Sequence, residues 1–404
     1  MTPPRIALVG TLDTKGEEYR YLRECVEHAG GSTLLIDAGV RGVPTVAPDI
    51  TRDEIAEVVG SRIEDLQVAG DRAAALETMG RGAGRVLTEL VGRGECDGVL
   101  CAGGSGGTAI AVAALRALPF GFPKLIVSTQ VPSAAGLLAG GSDVLLMSPV
   151  SDIAGLNRVT RTVLSNAAAA IVGAARSPVS VTTERRLVFA TMLGLTTAGV
   201  TLATRRVQEA GYEVVTFHAT GEGGRAMEGM LGRMATCGML DLTTVEIADE
   251  VVGGAKSAGA GRLRGAGGLG LPQVVSTGGA DMVRFGPEAT IPAQFGGRAF
   301  HSHSEIVTLM RTTPEECYRI GFTIGKRLSA STGPTVLMVP AGGSSELSVP
   351  EGPFHDPEAD AALMKGIDDS TSGTPVDVTV LDTHINDPVF ASEAADRLLT
   401  MLGG

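Results

Sequence analysis

Short apolar runs that lead into a glycine-rich turn and then into a helical pattern recur along the whole chain. The first run is Arg5–Val9, followed by the turn Gly10–Gly16 and by Glu17–Ala29, where apolar residues lie three or four apart. Thr33–Asp37 is the next apolar run. Strand–helix–strand units with such short connections require parallel strands with helices covering the sheet. The pattern predicts an α/β fold of two doubly wound, Rossmann-like domains with mainly parallel sheets.

The domain boundary follows from the length and from one polar stretch. A chain of 404 residues exceeds one hydrophobic core, since single cores stop growing at roughly 250–300 residues. The proline-containing stretch Ser177–Thr183 separates two regions that both show the alternation. We predict an N-terminal nucleotide-binding domain over residues 1–180 and a C-terminal α/β domain over residues 181–404. The glycine-rich interval Gly253–Leu271 is predicted to be a mobile or surface loop.

Composition excludes several classes of partner. A formal net charge of -12 repels nucleic acid, and an aromatic content of 3% without Trp leaves few surfaces for base stacking. No apolar stretch reaches the roughly 18 residues of a membrane span. The five cysteines contain no C-x-x-C pair, which is typical of reduced core cysteines. We therefore expect a cytoplasmic protein that binds neither nucleic acid nor membrane.

Two turns in the N-terminal half are candidates for phosphate binding, because each joins a strand to the unpaired N–H groups of a helix. Neither is a Walker A loop, but Gly104-x-Gly106-x-x-Ala109 fits the dinucleotide-binding template. Asp37 ends the second strand, where a Rossmann-type fold places its ribose-binding carboxylate. An ordinary turn with a solvated lysine remains the alternative for Gly10–Gly16. The predicted cofactor residues are Gly10, Thr11, Asp13, Thr14, Lys15, Asp37, Gly103, Gly104, Ser105, Gly106, Gly107 and Thr108.

Loops after predicted strands of the C-terminal half carry the second set of candidates. The turn His218–Arg225 combines glycines with a guanidinium, which binds carboxylates or phosphates bidentately. Its predicted substrate-binding residues are Thr220, Gly221, Gly223, Gly224 and Arg225. Candidate acids, bases or metal ligands are His218, His301, His303, Glu346 and His384. For His301-x-His303, with Glu305 or Asp281 as an oxygen ligand, a structural pair or a substrate contact is favoured over a metal site.

Ordered stretches along essentially the whole chain carry a family resemblance. They are Gly10–Lys15, Cys101–Ala109, Pro123–Thr129, Leu164–Ala170, Phe217–Glu228, Leu240–Thr244, Leu309–Thr313 and His384–Asp387. These stretches resemble the ATP-binding domain family named for the tomato mosaic virus resistance protein. The resemblance implies two α/β domains, dimers, and ATP with Mg²⁺ as ligands. For the plant member it also implies inhibition of viral RNA replication, a role that we do not transfer to this chain.

The residues and the resemblance together predict a protein that binds Mg-ATP, with the phosphates on the N-terminal glycine turns and an anion or substrate site at the domain crevice. The alternative is a metal- or ATP-dependent enzyme, of the kinase, ligase or hydrolase class, that acts on a small anionic metabolite through the C-terminal loops. A third class is a protein-interaction module that ATP only stiffens. We expect a homodimer whose small-molecule partners are a nucleotide and an anionic metabolite.

Overall fold

The computed structural model describes residues 2–138, 140–176 and 185–403. The chain divides into two compact units, Met1–Val181 and Thr182–Gly404. The stretch Ser177–Thr183, at which the sequence predicts the domain boundary, lies outside the described residues. Each unit is therefore described by itself.

The N-terminal unit alternates strands with helices. Its strands are β1 (Arg5–Gly10), β2 (Ser32–Asp37), β3 (Gly98–Gly103), β4 (Lys124–Ser128) and β5 (Leu145–Met147). Its helices are α1 (Leu12–His28), α2 (Arg52–Glu57), α3 (Ile63–Val68), α4 (Arg72–Gly92), α5 (Ser105–Leu115), α6 (Val131–Leu138) and α7 (Arg158–Arg176).

These five strands form one parallel sheet in the order β2-β1-β3-β4-β5. Neighbouring residues of a strand face opposite sides of the sheet. Ala7 and Val9 of β1 therefore pack with α2, α4 and α5, whereas Ile6 and Leu8 pack with α1 and α7. Because helices cover both faces, the strands appear in the sequence as continuous apolar runs.

The C-terminal unit repeats this plan with an additional small sheet. Its strands are β6 (Leu187–Met192), β7 (Glu213–His218), β8 (Thr236–Thr243), β9 (Gln273–Gly278), β10 (Met282–Phe285), β11 (Phe300–Ser304), β12 (Val307–Arg311), β13 (Thr335–Pro340) and β14 (Asp377–Leu381). Its helices are α8 (Thr197–Glu209), α9 (Glu222–Met230), α10 (Val245–Val252), α11 (Gly265–Gly268), α12 (Pro314–Leu328), α13 (Pro357–Thr371) and α14 (Pro388–Gly403).

The main sheet of this unit is parallel, in the order β14-β13-β9-β8-β6-β7. Val188 and Ala190 of β6 pack with α8 and α14 on one face. Val275 and Leu337 pack with α10, α12 and α13 on the other. Both units are thus doubly wound with parallel main sheets, which confirms the predicted fold class.

Helix starts agree with local sequence signals. The sequence Thr51–Glu54 has the pattern of a capping box, and the box forms: the Thr51 hydroxyl accepts from the N–H of Glu54, while the N–H of Thr51 donates to the Glu54 carboxylate at 2.7 Å. The same reciprocal pair forms between Thr313 and Glu316 at the start of α12. No helix in the described part of the chain combines the length and apolarity needed to cross a bilayer.

The small sheet was missed by the sequence analysis. Strands β10, β12 and β11 pair antiparallel in that order, so His301 and His303 lie on a strand rather than in a loop. A β-bulge shifts the pairing between Ser302 and Ser304. The polar composition of this strand hides it, because edge strands with one solvated face lack the continuous apolar run of a buried strand.

The prediction of a mobile or surface loop over Gly253–Leu271 is wrong for its central part. Arg262 is 0% exposed and Leu263 is 1% exposed, and α11 follows them directly. The prediction relied on the high glycine content, which indicates conformational freedom. Arg262 is buried, however, and a buried charge must be paired, so this part of the segment is held in place by its ionic contacts. The carboxylates that pair with Arg262 are described below.

Candidate functional site

The order of the N-terminal sheet reverses between β1 and β3, because β2 lies on one side of β1 and the later strands lie on the other. Ligands of doubly wound sheets bind at the carboxyl ends of the strands at such a reversal. A cavity of about 330 Å³, the N-terminal pocket, lies there. It is lined by Thr11, Asp13, Thr14, Lys15, Val40, Arg41, Leu66, Gln67, Gly70, Asp71, Arg72, Ala75, Leu76, Gly104, Ser105, Gly106, Gly107 and Asp152.

The N-terminal pocket brings the two predicted glycine turns together. Thr11, Asp13, Thr14 and Lys15 come from the turn after β1, and Gly104–Gly107 comes from the turn after β3. The two turns are separated by about 90 residues in the sequence, and the parallel pairing of β1 with β3 places them side by side.

The glycines at the start of α5 are not needed for packing. A side-chain carbon at Gly104 would have Thr129 Oγ1, 3.8 Å away, as its nearest neighbour, and one at Gly107 would lie 3.6 Å from a carbonyl oxygen. Gly104 has an ordinary φ of -80° and forms the N-cap of α5, where it offers no side chain to the first N–H groups of the helix. The bare backbone leaves space and hydrogen-bond donors for a ligand.

Two arginines that the sequence analysis did not single out also line the pocket. A side-chain carbon at Gly106 would lie 3.3 Å from Nη2 of Arg72, which places this guanidinium beside the first turn of α5. The side chains of Arg41 and Arg72 have no hydrogen-bond or ion-pair partner among the described residues and are exposed. Arg41 lies in the loop that follows β2, and this position in the sequence could have indicated a binding role. Arg72 lies on α4, far beyond β2, and nothing in the sequence near it indicates such a role.

Lys15 and Asp13 are partly committed to protein contacts. The ammonium of Lys15 donates to the carbonyl of Ile153 and lies 3.9 Å from Glu18. Asp13 Oδ2 accepts from the N–H groups of Arg41 and Gly42 at 3.0 and 2.9 Å. Asp13 Oδ1 is buried and has no hydrogen-bond partner within the described residues. This unsatisfied carboxylate oxygen is the group in the turn that best suits a cation or a water held by one.

Three predicted cofactor residues have structural roles outside the pocket. A side-chain carbon at Gly10 would overlap the ring of Tyr19, and one at Gly103 would lie 3.0 Å from the Cα of Gly107. The hydroxyl of Thr108 hydrogen-bonds to that of Ser128 at 2.7 Å. These residues shape the two turns but do not face the cavity.

Asp37 is not placed to bind a ribose. It is 0% exposed, Oδ1 accepts from the N–H groups of Leu12 and Gly39, and Oδ2 accepts from Nε of Arg52 at 3.0 Å. Burial raises its pKa, while these donors act in the opposite direction. The predicted cofactor role of Asp37 is therefore replaced by a structural one, which ties the turn after β1 to α2.

A second, polar cavity adjoins the N-terminal pocket. It measures about 570 Å³ and shares Gly104, Ser105 and Asp152 with it. Val150 lines this cavity with a φ of 66° and is 83% exposed. A β-branched residue rarely adopts a positive φ, and such strain concentrates at functional sites. The start of α5 thus lies between two open cavities.

In the C-terminal unit, the turn predicted to bind a substrate anion already holds an internal one. Oε1 of Glu246 accepts from the N–H groups of Gly221 and Gly224 at 2.5 and 3.1 Å, at the start of α9. Arg225 donates to the carbonyl of Ser257 at 2.7 Å, and a side-chain carbon at Gly223 would overlap the carbonyl of His218. The N–H groups of Gly221 and Gly224, and one of the guanidinium donors of Arg225, thus already serve the protein itself.

Glu246 belongs to a buried ionic network around Arg262. The guanidinium donates to Oε2 of Glu246 and to Oδ1 of Asp241, both at 2.7 Å, and all three side chains are 0% exposed. Glu228 lies 3.7 Å from the same guanidinium. Burial raises the pKa of Glu228, an effect that the nearby arginine opposes. One cation therefore balances several carboxylates inside the domain.

Other predicted residues meet in a cavity of about 280 Å³, the C-terminal pocket, at the carboxyl ends of β6 and β7. His218 and Thr220 line it from the turn after β7, and His303 lines it from β11. The remaining lining residues are Leu193, Gly194, Leu195, Lys256, Arg284, Phe285, Val307 and Leu309. The structure thus brings two of the predicted catalytic histidines to one place.

The other predicted catalytic residues lie elsewhere. The ring of His301 is edge-on to Phe354, with centroids 6.3 Å apart. His384 Nδ1 accepts from the N–H of Asn386 at 3.1 Å, and Asn386 Nδ2 lies 3.5 Å from Glu346. Three or more metal-ligating side chains do not cluster anywhere in residues 2–138, 140–176 and 185–403.

Asp281 is buried away from solvent rather than presented as a ligand. It is 1% exposed, its Oδ2 accepts from Ser345 Oγ at 2.7 Å, and its Oδ1 has no hydrogen-bond partner in the described part of the chain. Burial raises the pKa of this carboxyl, although Arg311 acts to lower it. Ionisation of Asp281 therefore costs stability in the folded state.

Asp281→Asn is expected to be more stable than the parent chain at about pH 7, because the amide keeps an acceptor for Ser345 without a buried charge. A raised pKa means that the folded protein binds the proton more tightly than the unfolded chain. The cost in the parent chain therefore shrinks as the pH falls below that raised pKa and vanishes below the ordinary pKa of about 4, so the two melting temperatures should converge by about pH 3. Thermal melts at both pH values test this, and a variant that is less stable at neutral pH would contradict it.

Comparisons with known proteins cover the whole chain. The model of the Uncharacterised protein family (UPF0261) N-terminal domain matches residues 4–180, and that of its C-terminal domain matches residues 185–402. A UPF0261 protein of Clostridium tetani is 41% identical over 399 residues, 98% of this chain and 99% of the relative. The ToMV susceptible protein tm-1 of Solanum lycopersicum is 35% identical over 420 residues, 98% of this chain and 56% of the relative. The structure of a UDP-N-acetylglucosamine 2-epimerase from Rickettsia bellii shares 12% identity with this chain and covers 68% of it and 79% of its own length, with a TM-score of 0.23. This similarity is too low to bear on function.

Proposed function

The chain belongs to the uncharacterised protein family UPF0261, and we propose that it is a cytoplasmic protein whose N-terminal unit binds ATP with Mg²⁺ in the N-terminal pocket. The bare start of α5 is the observation that carries this proposal. Gly104 and Gly107 line the cavity without a packing role, and Gly104 leaves the first N–H groups of the helix uncapped. Phosphate oxygens accept from such N–H groups and are favoured by the positive end of the helix dipole.

The charges around the pocket support a polyphosphate. Arg41 and Arg72 have no acid partner among the described residues, so a bound anion would pair with them without breaking an existing contact. Of the three lining acids, Asp13 and Asp71 already accept from backbone N–H groups, which reduces their repulsion of an anion, and Asp152 is exposed to solvent, which screens its charge. A guanidinium suits phosphate because it donates two parallel hydrogen bonds.

The apolar part of the N-terminal pocket suits the adenine. Val40, Leu66 and Leu76 form a wall of the cavity. The volume of about 330 Å³ is roughly eleven times that of a water molecule in the liquid, which is enough for only part of a nucleotide. We place the base against this wall, and the phosphates run along Gly104 and Ser105 toward the adjoining cavity of about 570 Å³.

Asp13 fits the accompanying cation through a bridging water. Its Oδ1 is buried beside the pocket and lacks a partner, and carboxylates are preferred ligands of Mg²⁺ and of its bound waters. When bound, Mg²⁺ neutralises charge on the phosphate oxygens. The role of the chain is to position the phosphates on α5 and to hold the waters of the ion at Asp13.

Binding of Mg-ATP by the full chain is expected to increase the free energy of unfolding by about 2.7 kcal/mol at a hundredfold excess of ligand over Kd, and thus to raise the melting temperature. Arg72→Ala should weaken binding about tenfold, or about 1.4 kcal/mol, because it removes a charge-assisted hydrogen bond beside Gly106. A thermal melt with and without Mg-ATP measures the first effect, and isothermal titration calorimetry with and without Mg²⁺ measures the second.

The matched control is Arg81→Ala, which removes an exposed arginine of the same helix outside the pocket and should leave affinity unchanged. The proposal fails if Mg-ATP does not bind, or if the two variants bind it equally well.

A further inference from the structure

The C-terminal pocket is a cavity of the C-terminal unit that combines an apolar lining with cationic side chains. One wall comes from the turn after β6, through Leu193 and Leu195, and the opposite wall comes from the small antiparallel sheet, through Phe285, Val307 and Leu309. The cavity of about 280 Å³ is roughly nine times the volume of a water molecule in the liquid. This size and lining suit a compact hydrocarbon group.

The polar groups of this cavity are cationic or neutral donors. Lys256 is exposed, and its ammonium has no hydrogen-bond or ion-pair partner among the described residues. His218 and His303 contribute imidazole rings, which donate an N–H even when neutral. The guanidinium of Arg284 is already paired with Asp249, whose Oδ2 accepts from its Nε at 2.8 Å. None of the lining residues is an acid, so the net charge at the cavity favours an anion.

Gly194 is an exposed residue at the border of the same cavity. A side-chain carbon at this residue would meet no protein atom within 4 Å, and its φ is not positive. Neither packing nor backbone conformation therefore requires glycine at the point where the turn after β6 borders the cavity. A larger side chain would project into open space.

We propose that the C-terminal pocket binds a small monocarboxylate with a hydrocarbon body. The hydrocarbon packs between Leu195 and Leu309, and the carboxylate accepts from Lys256, His218 and His303. A dicarboxylate of the same length would bury its second charge against leucine and valine side chains, which is costly without a partner. An uncharged analogue would leave the cationic end without a counter-charge. The residues that carry this proposal all lie in the C-terminal unit.

Calorimetry on the full chain tests this with 4-methylpentanoate as the probe. Two comparison compounds separate the contributions of the two ends: 4-methylpentan-1-ol has the same body without the charge, and succinate has charges without the branched body. We expect 4-methylpentanoate to bind at least tenfold more tightly than either. Equal binding of the acid and the alcohol, or no binding of the acid, would overturn the proposal.

Two variants locate the binding site. Gly194→Leu should occupy the cavity and abolish binding, with little change in the melting temperature, because a side-chain carbon at this position meets no protein atom within 4 Å. Lys256→Met should weaken binding of the acid about tenfold and leave that of the alcohol unchanged. Gly268→Leu is the control, since Gly268 also has open space but lies on α11 outside the cavity. If Gly194→Leu binds the acid as well as Gly268→Leu does, the pocket is not the site.

Discussion

Replacing Arg262 with methionine is expected to lower the free energy of unfolding of the C-terminal unit by about 3–5 kcal/mol. The guanidinium hydrogen-bonds to Asp241 and Glu246, and all three side chains are 0% exposed. Methionine preserves much of the side-chain volume but leaves two buried carboxylates without a counter-charge. The readout is the midpoint of the unfolding transition in urea and on heating, followed by circular dichroism.

The size of the effect should depend on the carboxylates that remain. Adding Glu246→Gln to Arg262→Met should recover part of the loss, because glutamine still accepts from Gly221 and Gly224 without a charge. Arg205→Met is the exposed control, since its partner Glu209 is 65% exposed and the pair is solvated. If the Arg262→Met and Arg205→Met variants unfold at the same midpoint, the buried network does not stabilise the domain.

Gly104→Val is expected to reduce the affinity for Mg-ATP by at least a hundredfold, on the order of 2.7 kcal/mol, while the free protein loses only about 1 kcal/mol of stability, because valine is a poorer N-cap than glycine. Gly104 has an ordinary φ, and a side-chain carbon there has no neighbour closer than 3.8 Å, so the fold tolerates valine. The same side chain would occupy the space in which phosphates approach the first N–H groups of α5. Calorimetry measures the affinity, and a thermal melt without ligand measures the fold.

Gly173→Val provides the matched control for this variant. Gly173 lies on α7 in the same unit, and a side-chain carbon there also meets no protein atom within 4 Å. Gly173→Val should melt like the parent chain or slightly above it and Gly104→Val slightly below it, and only Gly104→Val should lose the nucleotide. Retained binding in Gly104→Val would place the phosphates elsewhere in the unit.

The sequence was sufficient to predict the fold because parallel sheets covered on both faces require long apolar strands. Runs such as Arg5–Val9 and Thr335–Val339 could not be exposed on either side, and the helical stripes between them covered the sheet. The same reasoning predicted that the turns after β1 and β3 would meet, since carboxyl ends of neighbouring parallel strands lie at one edge.

The roles of individual polar residues could not be predicted in this way. Asp37 has the position of a ribose-binding acid, but Arg52, which occupies its Oδ2, comes from a helix fifteen residues later. Arg72 reaches the pocket from the start of α4, and no local pattern marks it. Such pairings depend on how helices pack over the sheet, which the period of apolar residues does not determine.

Glu246 shows that two turns with similar glycine content can differ completely in what they offer a ligand. Its carboxylate accepts from the N–H groups of a bend that lies more than twenty residues earlier in the chain. The donors of this bend are therefore occupied by the protein itself and are not available to an external anion. In related sequences, an acidic residue early in the helix after the following strand would mark such a self-occupied bend, and its absence would mark a vacant one.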